Sequence, residues 1–278
     1  MRGTGIRTRP LQRDARASHA QGPLSIAVAS GKGGVGKTSL VANLAVALAD
    51  LGRRVLVLDG DLGLANVDLL LGLVPQHTLY DVVMGRRRLE EIVVSGPGGI
   101  QLLPAASGIE KMAELDDARR EALLAGLERL ASERDLVLID TGPGIHRQPL
   151  RLAEAADEIL LLTTPEPPAF ADAYATLKLL APRRLSRPPR LVVVQARGEA
   201  EARATAHRVQ RVARRFLGFA PEFYATIPAD EAVPRSIKEQ QPFVRRYPDC
   251  RAAVAVRDLA RRLAAAAISA APLVEEPR

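Results

Sequence analysis

One octapeptide constrains this chain more than any other feature. Residues 31–38 read GKGGVGKT, between the apolar run LSIAVAS (24–30) and a helix-patterned stretch (37–51). The match to G-x-x-x-x-G-K-[ST] between a strand and a helix marks a phosphate-binding loop. Gly31, Gly33, Gly34 and Gly36 let the backbone curl, so that N–H groups through Val35 and on to Ser39 can face phosphate oxygens. The helix beginning near Lys37 adds its positive dipole end. Lys37 is expected to reach the β- and γ-phosphates, and Thr38 to bind Mg²⁺.

Such a loop needs a parallel sheet behind it, and the remaining pattern supplies one. Apolar runs recur at 54–59, 100–105, 135–140, 158–163, 190–195 and 222–228, and several are apolar on consecutive residues. Unbroken apolar runs mark strands covered on both faces. Helical stretches, among them 117–132, 168–181 and 199–217, lie between them. The expected fold is α/β: a mainly parallel, twisted sheet of about seven to eight strands flanked by helices. Ligands on such sheets sit at the carboxyl ends of strands. Four of those ends carry distinctive residues, at 31–38, 59–61, 140–144 and 163–166.

Residues 1–23 hold five arginines and few large apolar groups, so they are expected to form a disordered basic tail. Residues 24–249 should form one P-loop domain, residues 250–271 a C-terminal helix, and residues 272–278 a tail. Of the 278 residues, 47% are hydrophobic, enough for a full core. No apolar run approaches the roughly 20 residues that span a bilayer, and the first residues lack the apolar segment of a secretory signal. A cytoplasmic location is expected. The net charge of +7 could mark a nucleic-acid surface. With only five lysines, it reads better as arginine-rich composition, so direct nucleic-acid binding is not expected. The single cysteine, Cys250, excludes an intrachain disulfide and a cysteine-held cluster within one chain.

LVLIDTGPGI (136–145) places Asp140 after an apolar strand, where a carboxylate holds Mg²⁺ through its water shell. Gly142 and Gly144 allow a backbone that rearranges when a γ-phosphate leaves, so this segment is a candidate switch.

The fuller sequence KGGVGKT (32–38) resembles the deviant Walker motif of the MinD/ParA class of P-loop ATPases, of SIMIBI type. The resemblance implies slow ATP hydrolysis with ATP and Mg²⁺, acting as a molecular switch. It also answers why Lys32 precedes Lys37 by five residues: in that class the early lysine serves the nucleotide of a second subunit. It further implies that Asp59 supports the metal shell and that Asp61 orients the attacking water. Residues 61–66, ending at Asn66, would form the other switch. Gln195 stands where the class carries an asparagine for adenine, and Pro228 lies where its loop crosses the base.

The phrases DGDLGLANVDLLLGLVPQHTLYDVVMG, LLPAASGIEKMAEL and TPEPPAFADAYATLKLL look like the FlhG/FleN family, MinD-like regulators of flagellar number and placement. The resemblance implies an ATP-dependent homodimer. Its implied partners are the flagellar GTPase FlhF, flagellar switch components or a σ54-dependent flagellar activator. The tail RPLQRDARASHA lacks the residue order of the GTPase-stimulating element found in many members, which favours an anti-activator role. Alternatives are a MinD-type division-site ATPase and a ParA-type DNA-partition ATPase. In the C-terminal helix, Val256, Leu259, Leu263 and Ala267 form one stripe. The stripe fits packing on the domain, and it also fits peripheral inner-membrane contact in the ATP-bound state.

Overall fold

The computed structural model describes residues 22–61, 66–104, 115–183, 185 and 187–269. The basic tail through residue 21, residues 62–65 of the first candidate switch, residues 105–114 and the tail from 270 lie outside them.

Eight strands form one sheet: β1 (Leu24–Ala29), β2 (Val55–Asp59), β3 (Val94–Ser95), β4 (Gln101–Pro104), β5 (Leu136–Asp140), β6 (Glu158–Thr163), β7 (Arg190–Ala196) and β8 (Glu222–Pro228). Their order is β3-β4-β2-β5-β1-β6-β7-β8. Every pairing is parallel except that of β3 with β4. The long helices are α1 (Lys37–Asp50), α2 (Asp117–Ser132), α3 (Arg147–Ala155), α4 (Pro167–Leu180), α5 (Glu199–Leu217) and α6 (Arg251–Ser269).

The continuous apolar strands follow from cover on both faces. In β1, Ile26 and Val28 join the core beneath α1 and α6, while Ala27 and Ala29 face the layer holding Leu123 of α2 and Leu150 of α3. In β7, Val192 and Val194 face the first layer, and Leu191 and Val193 meet Leu177 of α4 and Val209 of α5. Each strand therefore buries successive side chains in opposite directions, which removes the alternation of a one-sided sheet.

The C-terminal helix packs most of its stripe on the domain. Val256 and Leu263 are fully buried, and Leu259 nearly so, in the same core as α1 and β8. At about 1.5–3 kcal/mol per buried side chain, these residues hold the helix to the domain. The Arg262 guanidinium lies 3.8 Å from the Tyr224 ring centroid and donates to the Tyr224 carbonyl. Three of the four stripe residues are thus occupied by packing, and Ala267 is partly buried at the end of the stripe. No helix among the described residues is long and apolar enough to cross a membrane.

Candidate nucleotide site

Sheet order brings the site together. β2, β5, β1 and β6 lie side by side, so Asp59, Asp140, the loop 31–38 and residues 163–166 meet at one edge. Asp59 and Asp140 are register partners.

The loop leaves β1 and turns into α1 through Gly34 (φ 77°) and Gly36 (φ 97°), both in the left-handed region that glycine enters without strain. A Cβ at either position would meet nothing within 4 Å, so it is the backbone conformation and not crowding that calls for glycine there. Gly31 is glycine for a different reason. A Cβ there would lie 2.2 Å from the Asp172 carbonyl oxygen in α4. Helix α1 begins at Gly36 with no side-chain cap and no acidic residue in its first turn. Its first N–H groups and dipole are therefore available to an anion.

Lys37 points inward and is 6% exposed. Its Nζ donates to Ser30 Oγ at 3.0 Å, and Ser30 Oγ donates to the Lys32 carbonyl at 2.7 Å. Burial lowers the Lys37 pKa, while the charges of Asp140 and Asp61 oppose that shift. The Ser30 bracket was not legible in the motif, because Ser30 lies just before its first glycine.

Asp140 is fully buried, and neither carboxylate oxygen has a hydrogen-bond partner. Burial pushes its pKa up to about 6. The nearby Thr38 hydroxyl, outside good hydrogen-bond geometry, and Lys37 favour the ionised form, and Asp61 opposes it. A buried carboxylate without partners, beside the first turn of the loop helix, fits a hard cation completed by phosphate oxygens and water. The Ser39 hydroxyl is likewise buried without a partner.

Asp59 differs from Asp140. Its oxygens accept the N–H groups of Asp61 and Val67, both at 3.3 Å. Burial, with Asp140 adding to it, raises its pKa to about 7. Asp59 thus holds both ends of the loop that carries Asp61, which suits support of a metal shell better than direct ligation. Asn66 occupies the N-cap position of the short helix Val67–Leu71 without capping it through its side chain. A Cβ on Gly142 (φ 60°) would come within 3.3 Å of Asp61 Cα and Oδ1, so the two candidate switches touch there. The Gly144 N–H, at φ 94°, donates to the Ser30 carbonyl at 3.2 Å.

Lys32 lies outside this cluster. Its side chain is 46% exposed, and its Nζ is 3.7 Å from Glu166, which is 65% exposed. Glu166 occupies the N-cap position of α4 without a side-chain capping bond. Gln195 interrupts β7 at φ 58°, beside a register irregularity, and its Nε2 donates to the Val35 carbonyl at 3.4 Å. Its neighbour Ala196 pairs with Pro228, so the two candidate base-contacting residues lie on adjacent strand ends.

A family model described as "AAA domain" matches residues 24–180. The antiactivator FleN of Pseudomonas aeruginosa is 39% identical over 253 residues, covering 91% of this chain and 89% of FleN. The chain belongs to the MinD-like P-loop ATPases. Within that family, the flagellum site-determining protein YlxH of Helicobacter pylori is 34% identical, over 68% of this chain and 64% of YlxH. The solved MinD of Pyrococcus horikoshii, in complex with Mg-ADP, superposes with a TM-score of 0.71 at 28% identity, covering 90% of this chain and all of that one. The MinD of a MinC:MinD complex from Aquifex aeolicus gives 0.68 at 30% identity, over 92% and 99%.

Proposed function

We propose that ATP joins two copies of this chain and that hydrolysis releases them. The chain is an ATPase on the flagellar-regulator branch of the MinD-like family, using ATP with Mg²⁺. The observation that carries the dimer reading is the opposite orientation of two lysines on one loop. Lys37 is enclosed with the carboxylates, whereas Lys32 extends outward where its own nucleotide would leave it unused. In a face-to-face pair Lys32 reaches the partner's phosphates and supplies positive charge in trans.

Thr38 and Asp140 would hold Mg²⁺, with Asp59 behind them, and the cation would neutralise charge on the transferring phosphoryl group. Gly31, Gly33, Gly34, Val35, Gly36 and Ser39 line the phosphate cradle, with Lys37 on the β- and γ-phosphates. Asp61 orients the attacking water. Loss of the γ-phosphate frees the contact between Asp61 and Gly142, and Gly142 and Gly144 absorb the backbone change. Gln195 must give up its bond to Val35 before its amide can meet adenine, and Pro228 closes the base site.

The output is a held partner. A relative is named an antiactivator, which supports capture of a flagellar transcriptional activator of the σ54-dependent type by the ATP-bound pair. FlhF and flagellar switch components are further candidates.

Sedimentation of the full chain tests this reading. The expected result is a dimer with Mg²⁺ and ATP and a monomer with Mg²⁺ and ADP. One mass in both nucleotides would overturn it.

A further inference from the structure

The turn that follows β8, residues 228–231, leads into the short helix Ala232–Lys238 and buries none of its own side chains. Pro228 and Asp230 are half-buried, and Ala229 and Glu231 are exposed. Polar bonds hold the turn instead. The Ala229 N–H donates to the carbonyl of Ala196, the last residue of β7, at 2.9 Å. Arg251, the first residue of α6, donates to the Ala229 carbonyl at 3.0 Å. Asp230 accepts twice, from the Ala232 N–H on Oδ1 at 2.9 Å and from the Ala252 N–H on Oδ2 at 3.3 Å.

A carboxylate that only capped its own helix would need the first of these bonds alone. Asp230 also reaches the first turn of α6, 22 residues along the chain, where unpaired N–H groups favour negative charge. α6 is a firm support. Its Ala252, Ala253 and Val256 are fully buried in the core shared with α1. A second tie joins that core to the phosphate cradle. Asn43 of α1, 3% exposed, accepts the Val244 N–H at 3.0 Å and donates to the Ser39 carbonyl at 2.8 Å. Val244 packs in the same core as α6. The turn after β8 and the cradle are thus both fixed to one packed body, the turn through Asp230 and the cradle through α1.

We propose that Asp230 is a positioning residue for the nucleotide's base. The inference rests on the reading of Pro228 as the residue that closes the base site. Asp230 touches no part of the nucleotide. It holds Pro228 and Ala229 at a set distance from the cradle, so that the base meets a wall already in place. A wall fixed beforehand costs no ordering when the nucleotide binds. The phosphates do not use this wall, so the clamp acts on the base and not on the triphosphate.

The test is calorimetry of the full chain with Mg²⁺, at a concentration where it is monomeric. It compares a non-hydrolysable ATP analogue with inorganic tripolyphosphate, which carries the phosphates and no base. Asp230→Ala should lower affinity for the analogue about tenfold and leave affinity for tripolyphosphate unchanged. Asp230→Asn keeps one acceptor oxygen and should fall between wild type and Asp230→Ala. A clamp that served the fold alone would weaken both ligands alike in Asp230→Ala, and that result overturns the proposal. Unchanged affinity for the analogue overturns it as well. Wild-type protein that binds the two ligands equally would remove the base site itself, and the positioning role with it.

Discussion

Lys37 and Lys32 sit five residues apart on one loop and live in opposite surroundings. Lys37 is enclosed, bracketed by Ser30, and faces Asp140 and Asp61. Lys32 stands at the surface, where its ion-pair partner is the exposed Glu166. An enclosed cation keeps its strength in a low-dielectric site, while an exposed one gains that strength only after another surface covers it. On the proposed function, the inner region binds nucleotide in a single copy and the outer one acts only in a pair.

The inner region should fail most severely. Asp61→Ala is expected to lower turnover by about 10²–10⁴, as for loss of a group that positions the nucleophile, while ATP still joins the subunits. Single-turnover hydrolysis and sedimentation check both halves, and normal turnover would remove Asp61 from the chemistry. Lys37→Ala should weaken ATP binding by a single copy by about 30-fold or more, given the roughly 2–5 kcal/mol carried by a buried charge contact. Calorimetry with a non-hydrolysable analogue measures it, and unchanged affinity would erase the contrast between the lysines.

The paired carboxylates sharpen the comparison through pH. Asp59 and Asp140 have folded pKa values of about 7 and about 6, above the ordinary 3.8. The folded state then holds more protons than the unfolded one between those values, so stability without nucleotide falls as pH rises from about 4 to 7. Asp59→Asn should recover on the order of 2 kcal/mol at pH 7.5. Denaturant midpoints at pH 5 and 7.5 read the effect, and equal stability at both pH values would contradict it. Leu259→Ala in α6 should cost about 2–4 kcal/mol if the stripe is core. A neutral change would reopen the membrane reading of that helix.

The sheet was legible because covered strands write unbroken apolar runs, and the seven runs are strands β1, β2 and β4–β8. β3 was not, since Val94 and Ser95 pair over too short a length to show a period. The stripe on α6 shows where hydrophobicity fixes a face without naming its cover. Val256, Leu259 and Leu263 read alike for core and for bilayer, and only the fold shows them packed in one core with α1. In the site, the loop and Asp140 announce themselves by spacing. Ser30 does not, because it precedes the first glycine and meets Lys37 only once the loop curls, and the 163–166 strand end stands out without revealing that Glu166 meets Lys32.

The most direct measurement is sedimentation equilibrium of Lys32→Ala with Mg²⁺ and ATP, alongside ATP affinity at a concentration where both proteins are monomeric. The account predicts dimerisation weakened by about 10–100-fold, the scale of a lost charged hydrogen bond, with monomer affinity unchanged. Wild-type dimerisation by the variant would contradict it.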